Sequence, residues 1–185
     1  MPRSPSHRCE PSTRGALVVV GSRSPASRAA LAQVATLTNT ARFSIEPSLL
    51  GGDLRSAVHA ELSGAIRNAL KSGMDVVVDI ASTSGPASAG NPQLVSALAS
   101  LLGPAAHDAS ALAATGGETA AALLMRLGVD GIRLLDEIEP GIPLGLTLGE
   151  VSVPAVTKAG GFGNEGCLRR IIERLRFIRQ TGTVA

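Results

Sequence analysis

Apolar positions in this chain alternate between short β-branched runs and four-residue periodicities, and that alternation predicts a repeating strand–helix order. Leu17–Val20 is an uninterrupted apolar run, the mark of a strand buried on both faces. Gly21–Pro25 reads as a turn, with Ser24 as N-cap and Pro25 opening a helix over Ala26–Thr36. RFSIE (42–46) reads as a short strand. From Asp53 the residues Leu54, Val58, Leu62, Ile66 and Leu70 recur every four positions, predicting an amphipathic helix capped by Asp53 and ended by Gly73. MDVVVDI (74–80) is a second buried strand, and the Ser/Gly/Pro/Ala-rich stretch 81–91 is a loop. Further on, the pattern predicts a helix over 92–102, a strand over 110–114 and a helix over 118–127. Three apolar runs without helical period follow at 131–138, 143–148 and 151–157. A last helix spans 165–179, with Leu168, Ile171, Ile172, Leu175 and Ile178 inward and Arg169, Arg170, Glu173, Arg174 and Arg176 outward. Strands alternating with helices predict an α/β three-layer sandwich around a mostly parallel sheet.

Residues 1–14 are rich in Pro, Ser and Arg and offer little to bury. They are expected to form a disordered tail or linker remnant ahead of a domain covering 15–185. Over the whole chain, a composition of 44% hydrophobic and 17% charged residues supports an ordinary core. The apolar content comes from Ala, Leu, Val and Gly, with three Phe and no Tyr or Trp, which excludes an aromatic stacking platform for single-stranded nucleic acid. A net charge of +2 is no nucleic-acid footprint either. Cys9 and Cys167 lie far apart and match no zinc spacing, so neither a disulfide nor a structural metal is expected. No run of 18 apolar residues predicts a membrane span, and the N-terminus lacks the apolar segment of a secretory signal. A cytoplasmic location is the expectation.

The candidate chemistry lies in three glycine-rich junctions between strands and helices: GSRSP (21–25), ATGGET (114–119) and TKAGGFGNE (157–165). Ligands of open α/β sheets bind beyond the carboxyl ends of the strands, where glycines let backbone N–H groups approach an anion and a helix N-terminus adds partial positive charge. Three such turns on one edge would cradle a polyanion, with a nucleotide's phosphate chain the obvious guest. Taken singly, each has a plainer role: Ser24 as an N-cap, Gly116 and Gly117 as turn formers, Lys158 as a surface lysine. Residues 161–166 match GxGxxG, yet only 19 residues follow Gly166, too few for the βαβ unit of a dinucleotide Rossmann domain. The chain has no GxxxxGK[ST], so it is no P-loop protein. His7, His59 and His107 form no cluster, and Cys167 reads as packing. Asp79 ends the second buried strand near the sheet edge and could face the site, though turn formation is the plainer role.

VVVGSRSPASRAALAQ, ATGGETAAALL, EIEPGIPLG and VTKAGGFGNEGCL together resemble the C-terminal nucleotide-binding domain of the four-carbon acid sugar kinases, the family of 3-oxo-tetronate and erythronate kinases. The resemblance covers about residues 15–180. It implies ATP and Mg²⁺, and phosphoryl transfer to a hydroxyl of a small sugar acid. It also implies ATP contacts on Ser22 or Ser24, on Gly116, Gly117, Glu118 and Thr119, and on Gly160, Gly161 and Gly163, with Lys158 beside the phosphates. Members of the family carry an N-terminal substrate domain with a DDxTGA-like motif, which nothing here matches. The expectation is therefore an ATP-binding half, inactive without a separate substrate-binding domain or chain. The alternative is a non-enzymatic interaction or effector protein on the same scaffold, whose exposed surface would favour a homo-oligomer.

Overall fold

The computed structural model describes residues 8–22, 24–51, 57–81 and 92–184. In chain order the elements are β1 (Ala16–Val20), α1 (Pro25–Val34), β2 (Thr40–Ile45), α2 (Pro47–Leu50), α3 (Ala57–Lys71), β3 (Asp75–Ile80), α4 (Pro92–Ala106), β4 (Ala111–Thr115), α5 (Gly117–Arg126), β5 (Val129–Glu139), β6 (Ile142–Gly149), β7 (Pro154–Lys158) and α6 (Cys167–Thr181). The strands form one seven-stranded sheet in the order β2-β3-β1-β4-β7-β6-β5. The first five in that order run parallel, and β6 and β5 close the far side antiparallel. Pro140 and Gly141 make the turn between β5 and β6, with Gly141 at φ 82°. Among the described residues no helix is long and apolar enough to cross a membrane.

Strand alternation divides the core in two. Ala16, Val18 and Val20 of β1 face α1 and α6, meeting Ala30, Leu31, Val34 and the stripe Leu168, Ile171, Ile172, Leu175 and Ile178. Leu17 and Val19 point the other way, into Ile66 and Leu70 of α3, Leu98 and Leu102 of α4, and Leu123 of α5. Helices thus cover both faces, which is the three-layer sandwich that the pattern implied. All five residues of β1 are buried, because the strand lies inside the sheet under a helical layer on each side.

Several sequence expectations need correction. The proposed cap Asp53 and Leu54 lie outside the described residues, as does most of the 81–91 loop. Val58, placed on the buried stripe, is 52% exposed; the helix turns Ile66 and Leu70 inward instead. Helix α4 continues through Pro104 to Ala106, because Ala105 and Ala106 are buried and hold that turn against the sheet. The short α2 had no signal beyond Pro47 after Glu46.

Residues 8–14 are not a loose tail. Arg8 bridges Thr183, Cys9 N–H donates to Gly182 O at 2.8 Å, and Ser12 N–H donates to Arg179 O at 2.9 Å. The segment is laced to the end of α6, whose Gly182 adopts φ 70° where Cys9 passes. Residues 1–7 lie outside the described residues.

The outward assignment of Arg176 is also overturned. It bonds the Asp75 carboxylate, Thr38 O (2.6 Å) and Thr40 Oγ1 (2.7 Å). Arg179 is buried beside it and donates to Asp75 Oδ1 at 2.8 Å and to Arg14 O at 3.2 Å. Asp75 is itself fully buried and also accepts from Ala16 N–H at 2.9 Å. This knot sits at the amino ends of the strands, away from the glycine-rich turns.

Candidate functional site

Strands β1, β4 and β7 are parallel neighbours, so the three glycine-rich turns leave the sheet side by side at its carboxyl edge. They are also bonded to one another. Gly21 N–H donates to Thr115 O at 3.0 Å, and Gly116 N–H donates to Lys158 O at 2.8 Å. Ser24 Oγ accepts from Ser27 N–H at 3.1 Å as the N-cap of α1 and donates to Gly160 O at 2.8 Å. Its hydroxyl proton and a lone pair are therefore used in tying the first turn to the third. Ser22 Oγ lies between the two turns: a Cβ on Gly160 would fall 2.6 Å from it. Helices α1, α5 and α6 start just beyond these turns, so three helix N-termini bring partial positive charge to one edge.

The close approach demands small residues. Gly21 abuts the Thr119 side chain with no room for a Cβ. Gly116 holds φ 94°, a left-handed conformation that side chains disfavour. By contrast, a Cβ on Gly117 or Gly161 would meet nothing within 4 Å. Those two glycines border open space on the outer side of the rim. Glu118 is exposed, whereas Thr119 is buried and serves as packing against Gly21.

Lys158 is neither a surface lysine nor an open-faced cation. It is 4% exposed, lies on the Val156 side of β7 beneath the third turn, and its Nζ donates to Ala159 O at 3.2 Å. Thr115, its register partner on β4, presents a buried Oγ1 with no hydrogen-bond partner among the described residues. Nearby, Arg170 pairs with Glu139 and also reaches Asn164 Oδ1 at 2.8 Å, bracing the turn from below.

Cys167 begins α6 under Gly163. Burial, with the Glu139 charge behind it, pushes its thiol up to about 11 against the pull of Lys158 and Arg170. The helix N-terminus therefore does not yield a thiolate here. Iodoacetamide at pH 8 should leave Cys167 unmodified in the native protein and label it after unfolding in guanidinium, as read by peptide mass spectrometry. Rapid native labelling would refute this account. Because the thiol titrates higher folded than unfolded, its contribution to stability is intact below 9.0 and fades as pH rises through about 11.

Sequence reasoning missed a cleft that adjoins the rim at Ser22. Asp79 does not form a turn; it lies on β3, 4% exposed. Its Oδ1 accepts from Arg42 Nε at 2.7 Å, and its Oδ2 accepts from another Arg42 nitrogen and from Ser44 Oγ, both at 3.0 Å. That bond holds the Arg42 guanidinium above its usual range, against the opposing effect of burial. The signal was there in outline: an acidic residue ends a buried strand. Only the strand order, with β3 beside β1, brings it to the site.

A parallel sheet whose glycine-rich turns interlock before three helix N-termini is the architecture of α/β domains that hold phosphate-bearing ligands. Residues 17–168 match the family described as the nucleotide-binding C-terminal domain, and the chain belongs to that family. A D-threonate kinase from Cupriavidus necator is 36% identical over 158 residues, which are 82% of this chain and 37% of that protein. A D-threonate kinase from Bordetella bronchiseptica is 47% identical over 78 residues, 41% of this chain and 19% of its own length. Among solved structures, a domain of unknown function (DUF1537) from Bordetella bronchiseptica, a domain-swapped dimer with bound citrate, is similar with a TM-score of 0.73 at 31% identity. It covers 90% of this chain and 42% of its own. The chain thus spans less than half the length of these relatives.

Proposed function

We propose that the rim binds the triphosphate of Mg·ATP and that the chain is the nucleotide-holding part of a kinase acting on a hydroxyl of a small four-carbon sugar acid. The observation that carries this reading is the direct bonding of three turns, distant in sequence, before three helix N-termini. Phosphoryl transfer asks chiefly for positioning and charge neutralisation, and amide donors at helix starts supply both. Gly117, Gly161 and Gly163 would bring their amides to phosphate oxygens. Ser22 would offer its hydroxyl, while Ser24 keeps the first and third turns together. Lys158 would act from beneath the third turn, orienting the Ala159 carbonyl and placing its charge under the phosphates. The described residues hold no group of three His, Cys, Asp or Glu fit to grip a metal ion, so Mg²⁺ would arrive on the phosphate oxygens as part of the substrate.

The sugar acid and the group that activates its hydroxyl would come from a separate substrate domain or chain. The names of the D-threonate kinases support that class of acceptor. Titration calorimetry with Mg·ATP at millimolar concentration should show saturable binding to the isolated chain. Without added partner, a coupled assay should show no phosphorylation of D-threonate. Absence of ATP binding in a folded sample would reject the reading.

A further inference from the structure

The cleft beside the rim has a volume of about 270 Å³ and is lined by Val20, Leu31, Ala32 and Ile80 with Ser22, Arg28, Arg42, Ser44 and Asp79. It opens over the carboxyl ends of β1, β3 and β2 on the α1 side. Sheet register gives it an order. Asp79 is level with Val20, Val20 with Thr115, and Thr115 with Lys158. These four positions form a row across the sheet, spanning three strand spacings, or about 14 Å. The rim occupies one end of the row and the cleft the other, with Ser22 common to both.

The cleft's chemistry is that of a nucleoside site. On one side stands a buried carboxylate that lines the cleft and, among the described residues, uses three of its roughly four acceptor positions on Arg42 and Ser44. Among the described residues Arg42 keeps further N–H donors unspent beside it, so a diol would find acceptor and donor together. On the other side are the aliphatic groups of Leu31 and Ala32 and the Arg28 guanidinium, which no carboxylate pairs among the described residues. Among the described residues no aromatic side chain lines this cleft, so a base seated in it would be held by aliphatic contact and guanidinium stacking. Acidic residues at the end of a strand next to a phosphate-binding turn serve ribose hydroxyls elsewhere in α/β sheets.

We propose that the nucleoside of ATP lies in this cleft, its ribose on Asp79, Arg42 and Ser44 and its base between Arg28 and the Leu31–Ala32 wall. This rests on the rim being the triphosphate site, and the test separates the two. Calorimetry on the full chain compares ATP with inorganic tripolyphosphate. Ala32 is exposed on α1, so Ala32→Phe should fold while filling the cleft. It should weaken ATP at least about tenfold and leave tripolyphosphate unchanged. Arg28→Lys keeps the charge but not the plane, and should weaken ATP as Arg28→Ala does. Wild-type affinity for ATP in Ala32→Phe would overturn the nucleoside site and leave the rim intact. Failure of the wild type to bind either ligand would instead remove the triphosphate reading, and this one with it. Binding of D-threonate that Ala32→Phe abolishes, with ATP unaffected, would assign the cleft to the sugar acid and overturn the proposal.

Discussion

Replacing Asp75 by alanine is expected to remove about 3–5 kcal/mol of folding stability, the range for breaking a buried ion pair from one side. The carboxylate has no solvent contact and holds two guanidinium groups at once, Arg176 and Arg179, along with the Ala16 amide. Its loss would leave two like charges facing each other, Arg179 buried and Arg176 only partly reached by water. The loss would also spread, because Arg176 anchors the backbone ahead of β2 and Arg179 anchors Arg14. Against a typical total of about 5–15 kcal/mol, that is a large share. Guanidinium denaturation followed by circular dichroism measures it as a lowered midpoint. A shift worth less than about 1 kcal/mol, the scale of a surface pair, would show that the knot is solvated in practice. Asp75→Asn keeps the volume and isolates the charge; it should recover only part of the loss.

The second large effect concerns binding rather than folding. Gly161→Asp should leave the fold intact and reduce affinity for Mg·ATP by about a hundredfold, some 2.7 kcal/mol. A Cβ at this position meets nothing within 4 Å and the backbone is not left-handed, so an aspartate enters without strain. It would, however, put a carboxylate where, on the proposed reading, the third turn would offer amides to a phosphate. Gly161→Ala is the control: it tests space without charge and should bind within about threefold of wild type, well under 1.4 kcal/mol. Equal affinity in the aspartate and alanine variants would move the phosphates off this turn.

Much of the fold is legible along the chain because β1, β3 and β4 are buried on both faces. ALVVV and DVVVDI cannot be surface segments, and the turns after β1, β4 and β7 announce themselves by glycine. Strand order is another matter. Nothing local says that β3 inserts between β2 and β1, or that β7 lies between β4 and β6, since those placements depend on which helix packs on which face. The cleft was invisible for that reason: Asp79, Arg42 and Ser44 come from β3 and β2, and only parallel pairing makes them neighbours of the first turn. Arg179 is a different kind of omission. It stands four residues after Leu175 and one after Ile178, squarely on the apolar stripe of α6. A charge in that position calls for a buried carboxylate partner, and the sequence offered Asp75 at the head of the second buried run. Lys158 stood out in the sequence as a cation just before AGGFG, but whether it points outward or down depends on the alternation of β7.

Helix α6 supplies six inward residues to one face of the sheet and fastens both Asp75 and the segment 8–14, yet it is the last of these elements to be synthesised. Until it leaves the ribosome, the valines of β1 on that side have only α1 for cover. The domain therefore closes late, through contacts about a hundred residues apart, which predicts slow maturation and a nascent chain prone to aggregate.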